Sequence, residues 1–382
     1  MAVYKLKDCC TIVAGQSPES KYYNTDGGGL PCFQGKADFG DLYPKVRVYC
    51  SQPKKIAEKN DILLSVRAPV GPTNLAPCQV CIGRGLTAIR PSENLLTRYV
   101  LLFFRYFEAQ LASKGTGTTF KAITQDVIKN LEIPVPHLPE QERIVARIEE
   151  LFSQLDAGVE TLRTTKAQLE VYRQAVLKEA FRYLVKKRPI REMSSIVTSG
   201  SRGWAQYYAD MGARFIRISD LTRDGIELKN DNIQYVKLPV KAEGKRSLLH
   251  GNDVLISITA DLGSIALIPN ELGEAYINQH IAMVRFHNPA QGEFMAWYLR
   301  SEWGQKDLLK NKRGGGKLGL GLDDIRNTPV PVVNDEEATQ IVQFVDSRLS
   351  VCDSIRKMVD VTLQQTEAMR QSILKQAFEG KL

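Results

Sequence analysis

From Pro139 onward the apolar residues fall at Ile144, Ile148, Leu151, Leu155, Leu162, Leu169, Tyr172 and Val176. Steps of four and three dominate, and Ile148, Leu155, Leu162, Leu169 and Val176 recur every seven residues, which predicts an amphipathic helix with one narrow stripe. Pro134, Pro136 and Pro139 keep earlier residues out of it, Glu140 and Glu142 suit its positive N-terminal end, and Pro189 closes the region. A helix from Glu140 to Tyr183 would run roughly 66 Å. A second, less regular stripe follows the same frame through Ile341, Val345, Cys352, Ile355, Val359, Met369 and Ile373. Neither helix can bury its stripe alone. The expected solution is an antiparallel coiled coil, with Ile148, Leu155, Leu162, Leu169 and Val176 facing Val345, Cys352, Val359 and Ile373. The alternative is that each helix merely covers its own neighbouring block.

The second stripe is a copy of the first. Arg173-Gln-Ala-Val-Leu-Lys-Glu-Ala-Phe181 returns as Arg370-Gln-Ser-Ile-Leu-Lys-Gln-Ala-Phe378, and the same offset pairs Ile128 with Ile325, Pro134 with Pro331, Asp156 with Asp353 and Glu170 with Glu367. Upstream, Asn60-Asp-Ile-Leu-Leu-Ser-Val-Arg67 pairs with Asn252-Asp-Val-Leu-Ile-Ser-Ile-Thr259, and Cys81-Ile-Gly-Arg84 through Arg90 with Tyr276-Ile-Asn-Gln279 through Arg285. Repetition on this scale is a tandem duplication. The chain therefore divides into a globular block (1–137), a central helical region (138–188), a second globular block (189–333) and a C-terminal helical region (334–382). Within the blocks, Asp61–Val66 and Asp253–Ile258 read as buried strands, and Arg98–Phe107 and Glu293–Arg300 as buried helices. The fold class is α+β: two tandem α+β domains separated by two long helices.

Apolar residues make up 43% and charged residues 25% of the 382, the balance of a globular protein. No apolar run reaches the roughly 20 residues that span a bilayer, and the N-terminus has no secretory pattern, so a cytoplasmic location is expected. Cys78-Gln-Val-Cys81 has metal-ligand spacing, but no second such pair follows, and the seven cysteines are read as reduced thiols without a metal. Lys and Arg outnumber Asp and Glu 17 to 11 in residues 1–137 and 18 to 16 in 189–333, while the balance is 6 to 8 in 334–382. The positive excess in the non-helical blocks suits a polyanion such as DNA.

Catalytic motifs are absent. Asn288-Pro-Ala is not the Asn/Asp-Pro-Pro-aromatic loop of an amino-methyltransferase. Gly314-x-Gly316-x-x-Gly319 follows a charged segment instead of a strand, and Gly316-Lys-Leu lacks the Ser or Thr of a phosphate loop. The four histidines show no ligand spacing, and no serine sits in a G-x-S-x-G elbow. The expected class is a non-catalytic protein with no cofactor of its own.

Two similar basic blocks joined by paired helices make a ruler suited to a split DNA sequence. The whole chain, in the order of its parts, resembles the specificity subunits of type I restriction–modification systems. The resemblance is carried by Pro134-Val-Pro-His-Leu-Pro-Glu-Gln-Glu142, by the two Arg-Gln-x-x-Leu-Lys-x-Ala-Phe endings, by Lys375–Leu382, and by Gly15-Gln-Ser-Pro18 and Arg67-Ala-Pro-Val-Gly71 with Gly83-Arg-Gly85. The second helix departs from the pattern, with Asn334-Asp-Glu-Glu where Pro-x-x-Glu-Gln is usual. The resemblance implies two target recognition domains on double-stranded DNA and docking of two methyltransferase subunits through the helices. It also implies restriction subunits joining that core. S-adenosylmethionine, ATP and magnesium would belong to those partners. A modification-only or phage-defence assembly with the same mechanism is a second reading, and a coiled-coil scaffold without DNA function a third. Positions that differ between the copies are candidate base readers: Arg67 and Arg84 for the first half-site, Thr259, Gln279 and His280 for the second. Lys114, Thr118, Lys121, Arg313 and Lys317, around the glycine-rich loops, are candidate phosphate contacts.

Overall fold

A computed structural model describes residues 2–116, 122–238, 246–310, 312 and 319–382. They form two compact units, Met1–Leu162 with Asp360–Leu382, and Arg163–Val359. Each unit holds one globular block and part of both long helices.

In the first unit a four-stranded antiparallel sheet runs in the order Cys10–Ala14, Leu86–Pro91, Ile62–Ser65, Thr73–Leu75. A five-stranded mixed sheet of short strands contains the parallel pair Leu30–Phe33 and Val80–Ile82. The second unit repeats this order with Ser194–Ser199, Ile281–Phe286, Val254–Ser257 and Ile265–Leu267, and repeats the parallel pair as Ala213–Ile216 with Ala275–Ile277. The duplicated Asn-Asp explains how both central strands begin. Asn60 and Asn252 take left-handed backbone angles of φ 68° and 65°, which asparagine tolerates better than most residues. The aspartate that follows turns inward. Asp61 accepts from the Glu58 N–H at 2.8 Å and from Arg90 Nε and Nη2, both at 2.8 Å. Asp253 does the same with the His250 N–H at 2.7 Å and Arg285 at 2.8 and 2.6 Å. At 2% and 1% exposure these carboxylates need such partners, which is why Asn-Asp and a distant arginine recur together.

The buried-helix expectations hold. Thr97–Ser113 buries Tyr99, Leu101, Phe103 and Phe104; its counterpart is broken into Gly292–Arg300 and Glu302–Leu308, where Ser301 Oγ accepts from the Gly304 N–H and starts a new helix. Among the described residues no helix is long and apolar enough to cross a membrane.

The long helices run Leu138–Phe181 and Asp335–Phe378, 44 residues each. The first begins two residues earlier than its prolines suggest. Pro139 sits in the first turn, where a missing N–H leaves no bond unmade. Within each unit the two helices pair antiparallel. In the first, Arg143 donates to the Leu382 carbonyl at 2.9 Å while Arg370 pairs with Asp156. In the second, Arg173 pairs with Asp353 at 2.6 Å and Arg356 lies 3.9 Å from Glu170. Arg173–Asp353 and Arg370–Asp156 are one bond in duplicate, so the repeated residues are those that join the helices. The repeated phenylalanines dock on the blocks: Phe181 meets Phe294 and Tyr298 at 5.7 and 5.6 Å, and Phe378 meets Tyr99, Phe103 and Tyr106 at 5.2 to 5.6 Å.

The apolar face is wider than a strict seven-residue seam. Ile148, Val176, Val345, Cys352 and Val359 are buried, but Leu155, Leu162, Leu169 and Ile373 are only half-buried. Leu177, Leu349, Leu374 and Ala377 are buried off that seam, because the helix ends cover a block as well as the other helix. Both packing expectations therefore operate together.

The helix starts explain the motif and its departure. Gln141, of the Pro-Glu-Gln-Glu string, is fully buried; its amide oxygen accepts from the Leu96 N–H and its amide nitrogen donates to the Asn94 and Pro136 carbonyls. In the second unit Ala338 stands in its place, and Gln291 supplies the bonds from the opposite side, to the Val333 carbonyl and Asp335. Asn334 caps this helix directly, accepting from the Glu337 N–H at 2.8 Å.

Candidate nucleic-acid interface

Three backbone segments meet at one edge of the first block. Gly15 donates to the Leu86 carbonyl, Gln16 to that of Ile82 and Gly83 to that of Phe33, at 2.8 to 3.0 Å. A Cβ at Gly15 would lie 2.1 Å from the Gly83 oxygen, so the Gly15-Gln-Ser-Pro turn can close only with glycine. Between these segments opens a cleft of about 580 Å³ whose walls include Ser17, Tyr23, Gln34, Arg47 and Arg84. Arg84 is exposed, and its side chain makes no ion pair or hydrogen bond among the described residues. Arg47 donates to the Ala37 carbonyl at 2.8 Å and lies 3.9 Å from Asp38. Arg67 is exposed where the central strand ends, next to Val66, whose N–H donates to the Gly85 carbonyl.

Gln34 is held from both sides. Its Nε2 donates to the Tyr23 hydroxyl at 2.8 Å, and its Oε1 accepts from Ser17 Oγ at 3.0 Å. The hydroxyls are themselves fixed by backbone. Tyr23 donates to the Pro18 carbonyl at 3.4 Å, and Ser17 Oγ accepts from the Arg84 N–H at 3.3 Å. Burial pushes the Tyr23 phenol above its ordinary range, so it stays a neutral hydroxyl.

The second block carries the same frame with other side chains. The Asn278 N–H donates to the Ile216 carbonyl as Gly83 does to Phe33, and Ile258 donates to His280 as Val66 does to Gly85. Gln279 thus stands where Arg84 does, Thr259 where Arg67 does, and Arg217 where Gln34 does. The structure brings Thr259, Gln279 and His280 together: Thr259 Oγ1 lies 2.6 Å from His280 Nδ1, and Gln279 Nε2 lies 2.8 Å from His280 Nε2. With the amide nitrogen facing Nε2, that nitrogen accepts and Nδ1–H donates to Thr259. Arg217 is committed to the Asn232 carbonyl at 2.7 Å and approaches Asp220 at 3.7 Å. The neighbouring Asp261 is held below the usual carboxylate range, chiefly by its hydrogen bond from Arg223.

Lys114 is exposed just past the helix Thr97–Ser113, with Nζ 5.5 Å from the Phe107 ring centre. Thr118, Lys121, Arg313 and Lys317 lie outside the described residues. Of the Cys78/Cys81 pair, Cys78 is exposed and Cys81 is buried with Cys32 and Cys50; among the described residues no group of three or more His, Cys, Asp or Glu could hold a metal. Sequence comparison of the halves missed Gln34, Tyr23, Arg47 and Arg217. For Gln34 and Arg217 the signal was there, in the residue after each parallel strand (Phe33-Gln34 and Ile216-Arg217), but loops of unequal length hid the match.

Two α+β blocks built on one repeated frame, each beside a stretch of two long antiparallel helices, define a class of tandemly duplicated two-domain protein. The sequence profile of the type I restriction modification DNA specificity domain matches residues 1–171 and 188–359, and the chain belongs to that family. It is similar to the putative type I restriction enzyme MjaX specificity subunit of Methanocaldococcus jannaschii, 38% identical over 167 residues, 44% of this chain and 38% of that one. It is 24% identical to the type I restriction enzyme EcoBI specificity subunit of Escherichia coli over 297 residues, 70% of this chain and 62% of that one. The chain thus spans less than two thirds of the length of these two relatives. A match to the StySPI specificity subunit of Salmonella potsdam, 23% identical, covers 91% of this chain and 80% of that one. A solved chain described with complex assembly and conformational transition of the type I R-M system shares the fold at a TM-score of 0.80 and 19% identity, covering 100% of this chain and 98% of that one. The HsdS subunit from Thermoanaerobacter tengcongensis does so at 0.58 and 19%, covering 100% and 97%.

Proposed function

We propose that this protein reads a two-part sequence in double-stranded DNA, one half-site per block, and carries methyltransferase subunits to it without catalysing a reaction itself. The observation that carries this reading is one backbone frame built twice with different side chains, exposed Arg84 against half-buried Gln279 and exposed Arg67 against half-buried Thr259. A duplicated frame keeps the way of approaching the groove; changed side chains change the base that is read. Arg67 and Arg84 serve the first half-site by the guanine edge, and Thr259, Gln279 and His280 serve the second. Lys114 holds phosphate, and Thr118, Lys121, Arg313 and Lys317 are assigned the same role from sequence. The long helices dock two methyltransferase subunits, and restriction subunits join them. S-adenosylmethionine, ATP and magnesium are used by those partners, and the target adenine is flipped into the methyltransferase. The protein acts in the cytoplasm, where its DNA is.

Titration of a labelled random-sequence duplex with the full chain tests the DNA-binding part. Phosphate contacts release counterions, so binding weakens steeply as salt rises, with a slope of about −0.9 per phosphate neutralised. A scaffold without DNA function would show no salt-dependent binding.

A further inference from the structure

We infer that Gln34 reads an adenine in the first half-site, with Tyr23 and Ser17 as positioning residues that set which way its amide faces. The inference rests on the DNA-reading function proposed above. A glutamine amide offers two N–H donors and two oxygen lone pairs. Tyr23 takes one donor and Ser17 one lone pair, which leaves one donor and one acceptor. The major-groove edge of adenine presents the complement, N7 as acceptor and N6 as donor, and glutamine pairs with it bidentately. Nε2 also lies 3.5 Å from Cys32 Sγ, an acceptor too weak to hold an N–H against a base nitrogen.

A free glutamine amide can turn over and exchange its donor and acceptor. This one cannot do so without loss. The Pro18 carbonyl only accepts, so Tyr23 donates to it and must accept from Gln34. The Arg84 N–H only donates, so Ser17 accepts from it and gives its proton to Gln34. Reversing the amide would set two acceptors and two donors against each other. The space is also reserved, since a Cβ at Gly83 would lie 2.0 Å from Gln34 Oε1. Exposed Arg84 lines the same cleft, which adds a positive flank for the DNA backbone or a neighbouring guanine. An exposed glutamine with no task would need neither the paired hydroxyls nor the glycine.

The test is selection from a randomised double-stranded DNA library by the full-length wild type and by Gln34→Ala, Gln34→Glu and Tyr23→Phe. The wild type should select a two-part motif. Gln34→Ala should lose adenine preference at one position of one half by about 5- to 150-fold, with the other half unchanged. Gln34→Glu keeps the shape but offers only acceptors, and should move that position toward cytosine. Tyr23→Phe leaves Gln34 in place and should weaken discrimination at the same position alone, which loss of a merely structural hydroxyl would not do. An unchanged motif in both Gln34 variants, or equal loss in both halves, overturns the role of Gln34 and leaves the proposed function standing. A wild type that selects no sequence overturns the proposed function, and this inference with it.

Discussion

The residues that recur between the halves and those that differ do separate jobs. Recurring residues hold the frame. Asp253 is buried against a bidentate arginine, and removing one member of such a pair strands the other, so Asp253→Ala should cost about 3–5 kcal/mol. Urea unfolding should show it, and adding Arg285→Met should restore much of the loss; a single variant as stable as wild type would contradict the pairing. Differing residues stand at the same turns of the frame, Arg67 and Arg84 exposed in the first block and Thr259, Gln279 and His280 half-buried in the second. Arg84→Ala should relax one position of the first half-site and Gln279→Ala one position of the second, each by about 1–3 kcal/mol in competition between duplexes. A variant that keeps full discrimination at every position removes its residue from the readers. The histidine chemistry was less legible than these charges. His280 was singled out for its place in the repeat, whereas its bonds to Thr259 and Gln279 arise from a turn that no spacing rule announces.

The elements were legible in existence and type, less so in their faces. Both long helices, the central strands and the buried helices follow from periodicity, since each must turn an apolar stripe toward a core. The strict seven-residue seam did not describe burial, because Leu155, Leu162 and Leu169 stay half-exposed while Leu177, Leu349 and Leu374 meet the blocks. A heptad rule sees one partner helix and not the sheet-bearing block beside it. The start of the second helix gives a clean check. Asn334→Ala removes the side-chain acceptor at its N-terminus and should cost about 1 kcal/mol in thermal unfolding. A second check uses Glu293 and Asp346, which face each other across the second unit. Burial raises both carboxyls above their usual range, and for Glu293 the charge of Asp346 adds to it. Well below that range both are protonated whether the chain is folded or not. As pH rises through the raised values, the folded protein must carry two half-buried, mutually repelling charges that the unfolded chain carries in water, so stability falls. Glu293→Gln should therefore stabilise at pH 7 and lose its advantage near pH 4, by melting across that range. An advantage independent of pH would contradict this origin.

At the scale of the whole chain, duplication is the fact from which function was read. It was visible because the frame-holding residues, Asn-Asp, the distant arginines and the Arg-to-Phe helix endings, cannot change without cost to folding. The candidate recognition surface was visible only in part, because its side chains and the loops between them have drifted apart between the two halves. Arg84 and Gln279 survived that drift in an alignable turn; Gln34 and Arg217 did not, and needed the parallel strand pair to bring them into register. The central claim is that each block reads one half of a split site. It is tested most directly by mapping methylated adenines genome-wide in a host that lacks other methylation, with the chain co-expressed with its methyltransferase. The account predicts one two-part motif with methyladenine on both strands, one half of which changes when residues 189–333 are exchanged for those of a relative. A single undivided motif, or one in which that exchange alters both halves together, would contradict it.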